Sequence, residues 1–274
     1  MTDLNGSFSM DINYIDSLLL EALSWAREAG AVHMRYFREG HLDIKSKYGE
    51  SDIVTIADRE SEKLLIANIR RAHPEHAILS EESGECGAGE SAYRWVIDPL
   101  DGTTNFNQGL PQFAVSIGLE YEGQVVAGVV YAPYLDELFH ARIGSGAYLN
   151  GNPVGTRPNA MLSRAVVATG FPVDKDLNPD NNLDNLAAVL PHVRDVRRLG
   201  SAALDLCYVA SGFLDGYWEL NLHRWDVAAG LLIVSEAGGM ATEFRTGRGI
   251  SICAASAPIY PQLLPLLSTA PRRG

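Results

Sequence analysis

With 274 residues, 46% hydrophobic and 20% charged, the chain is long enough for one large domain or two joined halves around a substantial core. No apolar run approaches the roughly 18 residues of a membrane span, and the acidic start MTDLNGSFSMDINYID lacks the basic-then-apolar pattern of a secretion signal. A formal net charge of −12 argues against a basic nucleic-acid groove, and Cys86, Cys207 and Cys253 have no metal-type spacing, so they read as free thiols in a reducing cytoplasm. In chain order, residues 1–10 read as an extension, with Met10 an alternative start and Asn5-Gly6-Ser7 an accidental glycosylation sequon. Ile15, Leu18, Leu19, Ala22, Leu23, Ala26 and Ala29 recur at helical spacing and predict an amphipathic helix over 13–37. The polar loop KSKYGESD leads through IVTIAD into a second helix over 57–72, ended by Pro74. AILS and WVID read as short buried strands, and the alternating, glycine-punctuated segment 113–150 reads as an antiparallel meander. The second half begins near 151. It holds AVVATGF, helices at 183–190 and 201–211, the strand DGYWEL, the helix DVAAGLLIVSEAGG capped by Gly238-Gly239, the strands MATEF and SICAAS, and a terminal helix. Helices and strands come in blocks without a steady βαβ rhythm, which predicts layered α+β.

The stretch WVIDPLDGTTNF, residues 95–106, carries the chemistry. Asp98 and Asp101 stand three apart with no Lys or Arg in the stretch. An Asp at a strand end can simply cap a turn. Two carboxylates on one short turn repel, however, and each raises the other's pKa unless a cation sits between them. Hard cations such as Mg2+ take such oxygen ligands, and an ion between the acids would invert the local field for a phosphate. The amides of Gly102, Thr103 and Thr104 could complete a cradle for phosphate oxygens. The spacing of DPLDGT, three rather than two between its aspartates, and its position a third of the way along the chain set it apart from the Asp-x-Asp-Gly-Thr loop of haloacid-dehalogenase phosphatases.

WVIDPLDGTTNF, with LSEES upstream and WDVAAGLLIVSEAGG downstream, resembles the inositol monophosphatase family over about residues 13–268. That resemblance implies a layered α/β/α/β/α sandwich of the inositol monophosphatase and fructose-1,6-bisphosphatase type. It implies a single catalytic domain over 11–270, with a metal-binding half at 11–150 and a substrate-binding half at 151–270, and an active site between them. It also implies Glu81, Asp98, the Leu100 carbonyl, Asp101 and Asp226 as ligands for two or three Mg2+, with Mn2+ as an alternative ion. Glu81 and a Thr103–Asp58 pair would direct the attacking water. Without the resemblance, Glu81 would be a solvated charge, Asp58 an exposed helix residue and Asp226 a helix-terminal charge.

For the organic part of the substrate, the same resemblance implies Glu219 as acceptor for sugar or cyclitol hydroxyls and Gly200, Ser201 and Ala202 as backbone lining, beside Asp101, Gly102, Thr103 and Thr104. Gly170-Phe171-Pro172 would shape the rim, and His223 and Arg224 would tune the choice of ester. Lys47, with Lys45 competing, matches the mobile-loop lysine, and Glu82 matches no ligand. The implied activity is Mg2+-dependent hydrolysis of myo-inositol 1-phosphate by an activated water, in a lithium-sensitive cytoplasmic homodimer that engages neither nucleic acid nor membrane. Fructose-1,6-bisphosphate, NADP and a non-catalytic regulatory role are the alternatives.

Overall fold

A computed structural model describes residues 11–39, 45–46, 53–87 and 91–269. The N-terminal extension, its sequon and Lys47 lie outside the described residues, as does the side chain of Lys45. In chain order, helix α1 spans Ile12–Tyr36, strands β1 and β2 are Lys45–Ser46 and Ile53–Val54, and α2 spans Ile56–Ala72. Then come β3 (Ala77–Ser80), β4 (Gly84–Gly87), β5 (Tyr93–Asp101) and the short α3 (Thr103–Asn107). The meander follows as β6 (Ala114–Tyr121), β7 (Gln124–Ala132), β8 (Glu137–Arg142), β9 (Ala147–Leu149) and β10 (Asn152–Val154). Beyond it lie β11 (Val166–Thr169), α4 (Leu183–Val189), β12 (Asp195–Arg197), α5 (Ala202–Ala210), β13 (Gly216–Leu222), α6 (Arg224–Glu236), β14 (Gly239–Arg245), β15 (Ile250–Ser256) and α7 (Tyr260–Leu263).

Two large sheets organise these elements. The first has eight strands in the order β10-β9-β8-β7-β6-β5-β3-β4, antiparallel except where β3 runs parallel to β5. The second has five, β12-β11-β13-β15-β14, with β11 parallel to both its neighbours. Asp11 caps α1 by accepting from the amides of Asn13 and Tyr14, and Ile15, Leu18, Ala22, Ala26 and Ala29 form the stripe it buries on the eight-stranded sheet, with α2 beside it. Helices α5 and α6 fill the space between the sheets, where Ala203, Leu206, Val227 and Ile233 join Val130, Tyr217 and Ile252 in one core. A third core, with Trp218 and Cys253, covers the outer face of the second sheet beneath Val189, Ile259 and Leu263. The result is an α/β/α/β/α stack, the layering implied by the resemblance. No helix among the described residues is long and apolar enough to cross a membrane.

The close approach of α6 to the first sheet depends on two glycines. A Cβ on Gly118 would lie 3.0 Å from the Ala228 Cβ, and one on Gly128 would lie 2.9 Å from the Ala229 backbone. The helix axis therefore sits directly on the strands, and its N-terminus reaches the C-terminal end of β5.

Candidate active site

The pairing of β5 with β6 slips between Asp98↔Ser116 and Asp101↔Ala114, so three steps on β5 face two on β6. This bulge carries the two aspartates, and it removes Pro99 and Leu100 from the ladder. Their backbone groups find other partners, as buried groups must. The Pro99 carbonyl accepts from His33 Nε2 at 2.8 Å, and the Leu100 amide donates to Asp98 Oδ1 at 3.0 Å. Gly102 follows at φ +88°, where a Cβ would strike the Gln112 carbonyl at 2.7 Å, and it starts α3.

Thr103, the first residue of α3, places Oγ1 3.0 Å from Asp58 Oδ1 and 3.0 Å from the Leu100 carbonyl. Asp58 is buried rather than exposed, because it is the third residue of α2 and completes a capping box with Thr55. Its Oδ2 accepts from the Thr55 amide at 2.8 Å and from Thr55 Oγ1 at 2.5 Å. The carboxylate that faces Thr103 is thus fixed from behind.

Glu81 lies in the turn after β3, its amide bonded to the Ile97 carbonyl at 3.2 Å. The buried carboxylate of Glu62 ties down both sides of that turn, accepting from Ser80 Oγ, from the Ser83 amide at 2.9 Å and from Ser83 Oγ at 2.8 Å. Asp101 Oδ2 accepts from Ser201 Oγ at 2.5 Å and from the Ala203 amide at 2.8 Å, so the acid sits at the N-terminus of α5. Asp226 stands third in α6 and accepts from the His223 amide at 2.6 Å.

These acids perturb one another. Burial, then the charges of Glu81, Asp101 and Asp226, push the Asp98 carboxyl well above the usual range, and Asp98 is also in hydrogen-bond contact with Glu81. Asp101 is pushed up to about 7 by burial and then by Asp226, against the pull of Ser201 and the amides of Ala203 and Ala202. An all-oxygen donor set of mutually repelling carboxylates, with the Leu100 carbonyl among them, suits a hard divalent cation and not a thiolate- or imidazole-seeking one. The residues present therefore fit magnesium or manganese. They do so spread out. Among the described residues, the only three His, Cys, Asp or Glu ligand atoms within 4.8 Å of one another belong to His73, Glu75 and His76. That trio lies at the opposite end of β3, and Trp95 Nε1 donates to His76 Nδ1 at 3.1 Å. The proton of neutral His76 is then on Nε2, which leaves no lone pair there for an ion.

A cleft of about 580 Å³ opens beside the acids, lined by Glu81, Asp226, Glu219, His223, Trp225 and Phe171 among others. Its size suits a small organic ligand. Glu219 is pushed up to about 7, chiefly by burial, while Tyr217 and Arg198 pull it down. The Tyr217 hydroxyl donates to Glu219 Oε2 at 2.5 Å, and Gly170 lies so close that a Cβ would fall 2.0 Å from the same oxygen. A larger hollow of about 680 Å³ lies by Phe244 and Leu266, away from every one of these acids.

The resemblance extends far beyond the motifs. Residues 15–268 match the inositol monophosphatase family. An inositol-1-monophosphatase of Mesorhizobium japonicum is 43% identical over 233 residues, covering 85% of this chain and 87% of its own. The chain belongs to the inositol monophosphatase family. A Nus factor SuhB of Vibrio cholerae is 41% identical over 226 residues, covering 82% of this chain and 85% of its own. Among solved structures, the extragenic suppressor protein suhB of Bartonella henselae superimposes with a TM-score of 0.86 at 41% identity, covering 93% of this chain and 99% of that one.

Within this family frame, the structure brings Asp58 to Thr103 and sets Glu81, Asp98, Asp101 and Asp226 around one corner. Glu219 and His223 face the cleft, with His223 stacked on Trp225 at 4.7 Å. Arg224 does not, contrary to its expected role in choosing the ester. Its guanidinium turns to the buried Glu120, at 2.6 and 2.7 Å, because that carboxylate, shared with Arg94, offers a charge partner on the other side of α6. Ser201 serves Asp101 directly. Sequence reasoning missed His33, Glu62, Tyr217 and the buried Asp205, whose Oδ1 has no hydrogen-bond partner. Only Thr55-x-x-Asp58 left a local trace, as a capping box.

Proposed function

We propose that this chain is a Mg2+-dependent phosphomonoesterase acting on myo-inositol 1-phosphate or a closely similar polyol phosphate. The observation that carries the reading is the Thr103 hydroxyl poised on the buried Asp58 carboxylate, close to a corner of four acids of which Glu81 and Asp226 line a cleft shared with Glu219. Divalent ions held by Glu81, Asp98, the Leu100 carbonyl, Asp101 and Asp226 would supply Lewis acidity toward the phosphoryl oxygens and lower the pKa of an attacking water.

The remaining work belongs to the chain. Thr103 donates its one hydroxyl hydrogen bond to Asp58, and the lone pairs of Oγ1 then accept a hydrogen bond from water. With Glu81, this fixes the water, and the Glu81 carboxylate takes its proton as the water oxygen bonds to phosphorus and the ester P–O bond breaks, the departing alkoxide taking a proton from solvent. The first-turn amides at Gly102, Thr103 and Thr104 face the phosphate oxygens, and Glu219 accepts from ring hydroxyls. Gly200 and Ala202 line the same end of the site through their backbone. The assembly we propose is the homodimer, and lithium inhibits by taking an ion position.

Magnesium titration with a panel of inositol 1-phosphate, fructose 1,6-bisphosphate and NADP tests both the reaction and its substrate. In water enriched in oxygen-18, label should enter the released phosphate in a single turnover, whereas a trapped phospho-aspartate would end the proposal. The SuhB names of several relatives favour a second, regulatory role, and a chain that hydrolyses none of these esters in saturating magnesium would leave that reading alone standing.

A further inference from the structure

His33 belongs to the last turn of α1, 66 residues before the carbonyl it meets, and its ring is fully buried. Phe106 and Phe113 meet it edge-on, with centroids at 6.1 and 5.9 Å. A carbonyl can only accept, so Nε2 carries the ring proton, and Nδ1 is left buried without a hydrogen-bond partner. Burial keeps the ring neutral by lowering its pKa to about 4. An apolar side chain would fill this aromatic pocket without an unpaired nitrogen, whose desolvation is unfavourable. What the imidazole adds is one donated bond.

That bond lands on a critical peptide. The plane joining Pro99 to Leu100 carries two polar groups, the Pro99 oxygen and the Leu100 N–H. His33 holds the first at 2.8 Å, and Asp98 Oδ1 takes the second at 3.0 Å. Neither Pro99 nor Leu100 has a register partner on β6 across the bulge, so these two side-chain bonds are what hold the plane. A rotation of the plane would break both bonds together and release the Asp98 carboxylate from its backbone anchor. Donation to the carbonyl also polarises the peptide and strengthens its N–H as a donor.

We propose that His33 is a positioning residue that orients the Asp98 carboxylate through the Pro99–Leu100 peptide plane, and so sets the affinity of the acid corner for divalent ions. The inference rests on the reading of that corner as the ion site. It acts from α1, which contributes no ligand.

The test compares His33→Leu, His33→Asn and His33→Gln in the full-length protein. The terminal amide of Gln reaches about as far as Nε2, whereas that of Asn reaches only as far as Nδ1. Calorimetric titration with magnesium alone, without ester, should show the Leu and Asn variants weakened about tenfold or more, as for other partners that orient a metal ligand. Gln should recover most of the wild-type affinity. In the metal-free proteins, hydrogen exchange of the Leu100 amide should quicken in Leu and Asn and stay slow in Gln. Equal magnesium affinity and equal Leu100 exchange in wild type and His33→Leu would overturn this inference while leaving the proposed function intact. A wild type that takes up no magnesium would sink the ion site itself and this inference with it. Should the Leu variant not fold, the Asn–Gln contrast decides alone: no difference between those two overturns the proposal.

Discussion

Thr103 has one hydroxyl proton and two acceptors at equal distance, and which acceptor receives it determines what the oxygen can do. Donation to Asp58 turns its lone pairs outward. Thr103→Val keeps the shape and removes the oxygen, so kcat should fall about a hundredfold, within the range of a lost proton-handling group. The KM for the ester and the magnesium affinity should barely move, and Thr103→Ser should retain most of the rate. Steady-state kinetics at saturating magnesium would read this, and a Val variant as fast as wild type would remove the pair from the mechanism. His33 gives a second prediction at this scale, on stability. Its pKa falls from 6.5 in the open chain to about 4 when folded, so between those values the unfolded state binds the extra proton. The folded state is therefore undiminished above pH 6.5 and loses stability as pH falls toward 4. The loss relative to His33→Gln, which does not titrate, approaches about 3 kcal/mol. Urea unfolding of both proteins from pH 7.5 to 4 should show that divergence, and parallel curves would mean that the ring takes up its proton in place.

Helix α6 is apolar on nearly every side, from Val227 to Val234, because both sheets bury it. The two glycines beneath it set its height. In Gly128→Ala the new methyl would meet the Ala229 backbone, which cannot swing aside as a side chain could, so the helix must lift. Destabilisation of about 1–3 kcal/mol is expected in denaturant unfolding, typical of an overpacked contact. Activity should fall further than stability accounts for, since the same helix carries Asp226. A variant as stable and active as wild type would show that the sheet yields instead. Element patterns of this kind were unevenly legible in the sequence. The stripe of α1 was plain because only one face is buried, and the meander was plain from its alternation and glycine turns. Strands β4, β10 and β12 went unread, being three- or four-residue edges that exist through their neighbours' hydrogen bonds. Helix α3 spans five residues and starts from a left-handed glycine, so WVIDPLDGTTNF read as a turn.

At the scale of the whole molecule, the acids of the site come from separate places: Glu81, Asp98 and Asp101 from the C-terminal ends of β3 and β5, and Asp226 from the helix between the sheets. The motifs made the acids themselves visible, since two aspartates beside small turn residues are conspicuous on one line of sequence. Their supports were not visible, because Glu62 holds Ser80 and Ser83, and His33 holds Pro99, across distances that only the fold closes. The same assembly makes the site a place of stored repulsion in the metal-free chain, where burial and like charge raise Asp98 and Asp101 together. An ion that binds only the folded arrangement must then stabilise the whole molecule by mass action, by about 2.7 kcal/mol when its concentration is a hundred times its dissociation constant. Thermal and urea unfolding in EDTA and in magnesium should differ by that amount for wild type. Asp98→Asn removes a ligand and a repelling charge at once, so its metal-free form should melt no lower than wild type, while magnesium should leave its melting temperature unchanged and its turnover should be at least about a hundredfold lower. A wild type with identical unfolding curves in EDTA and magnesium would show that the acids meet in the fold without an ion to join them.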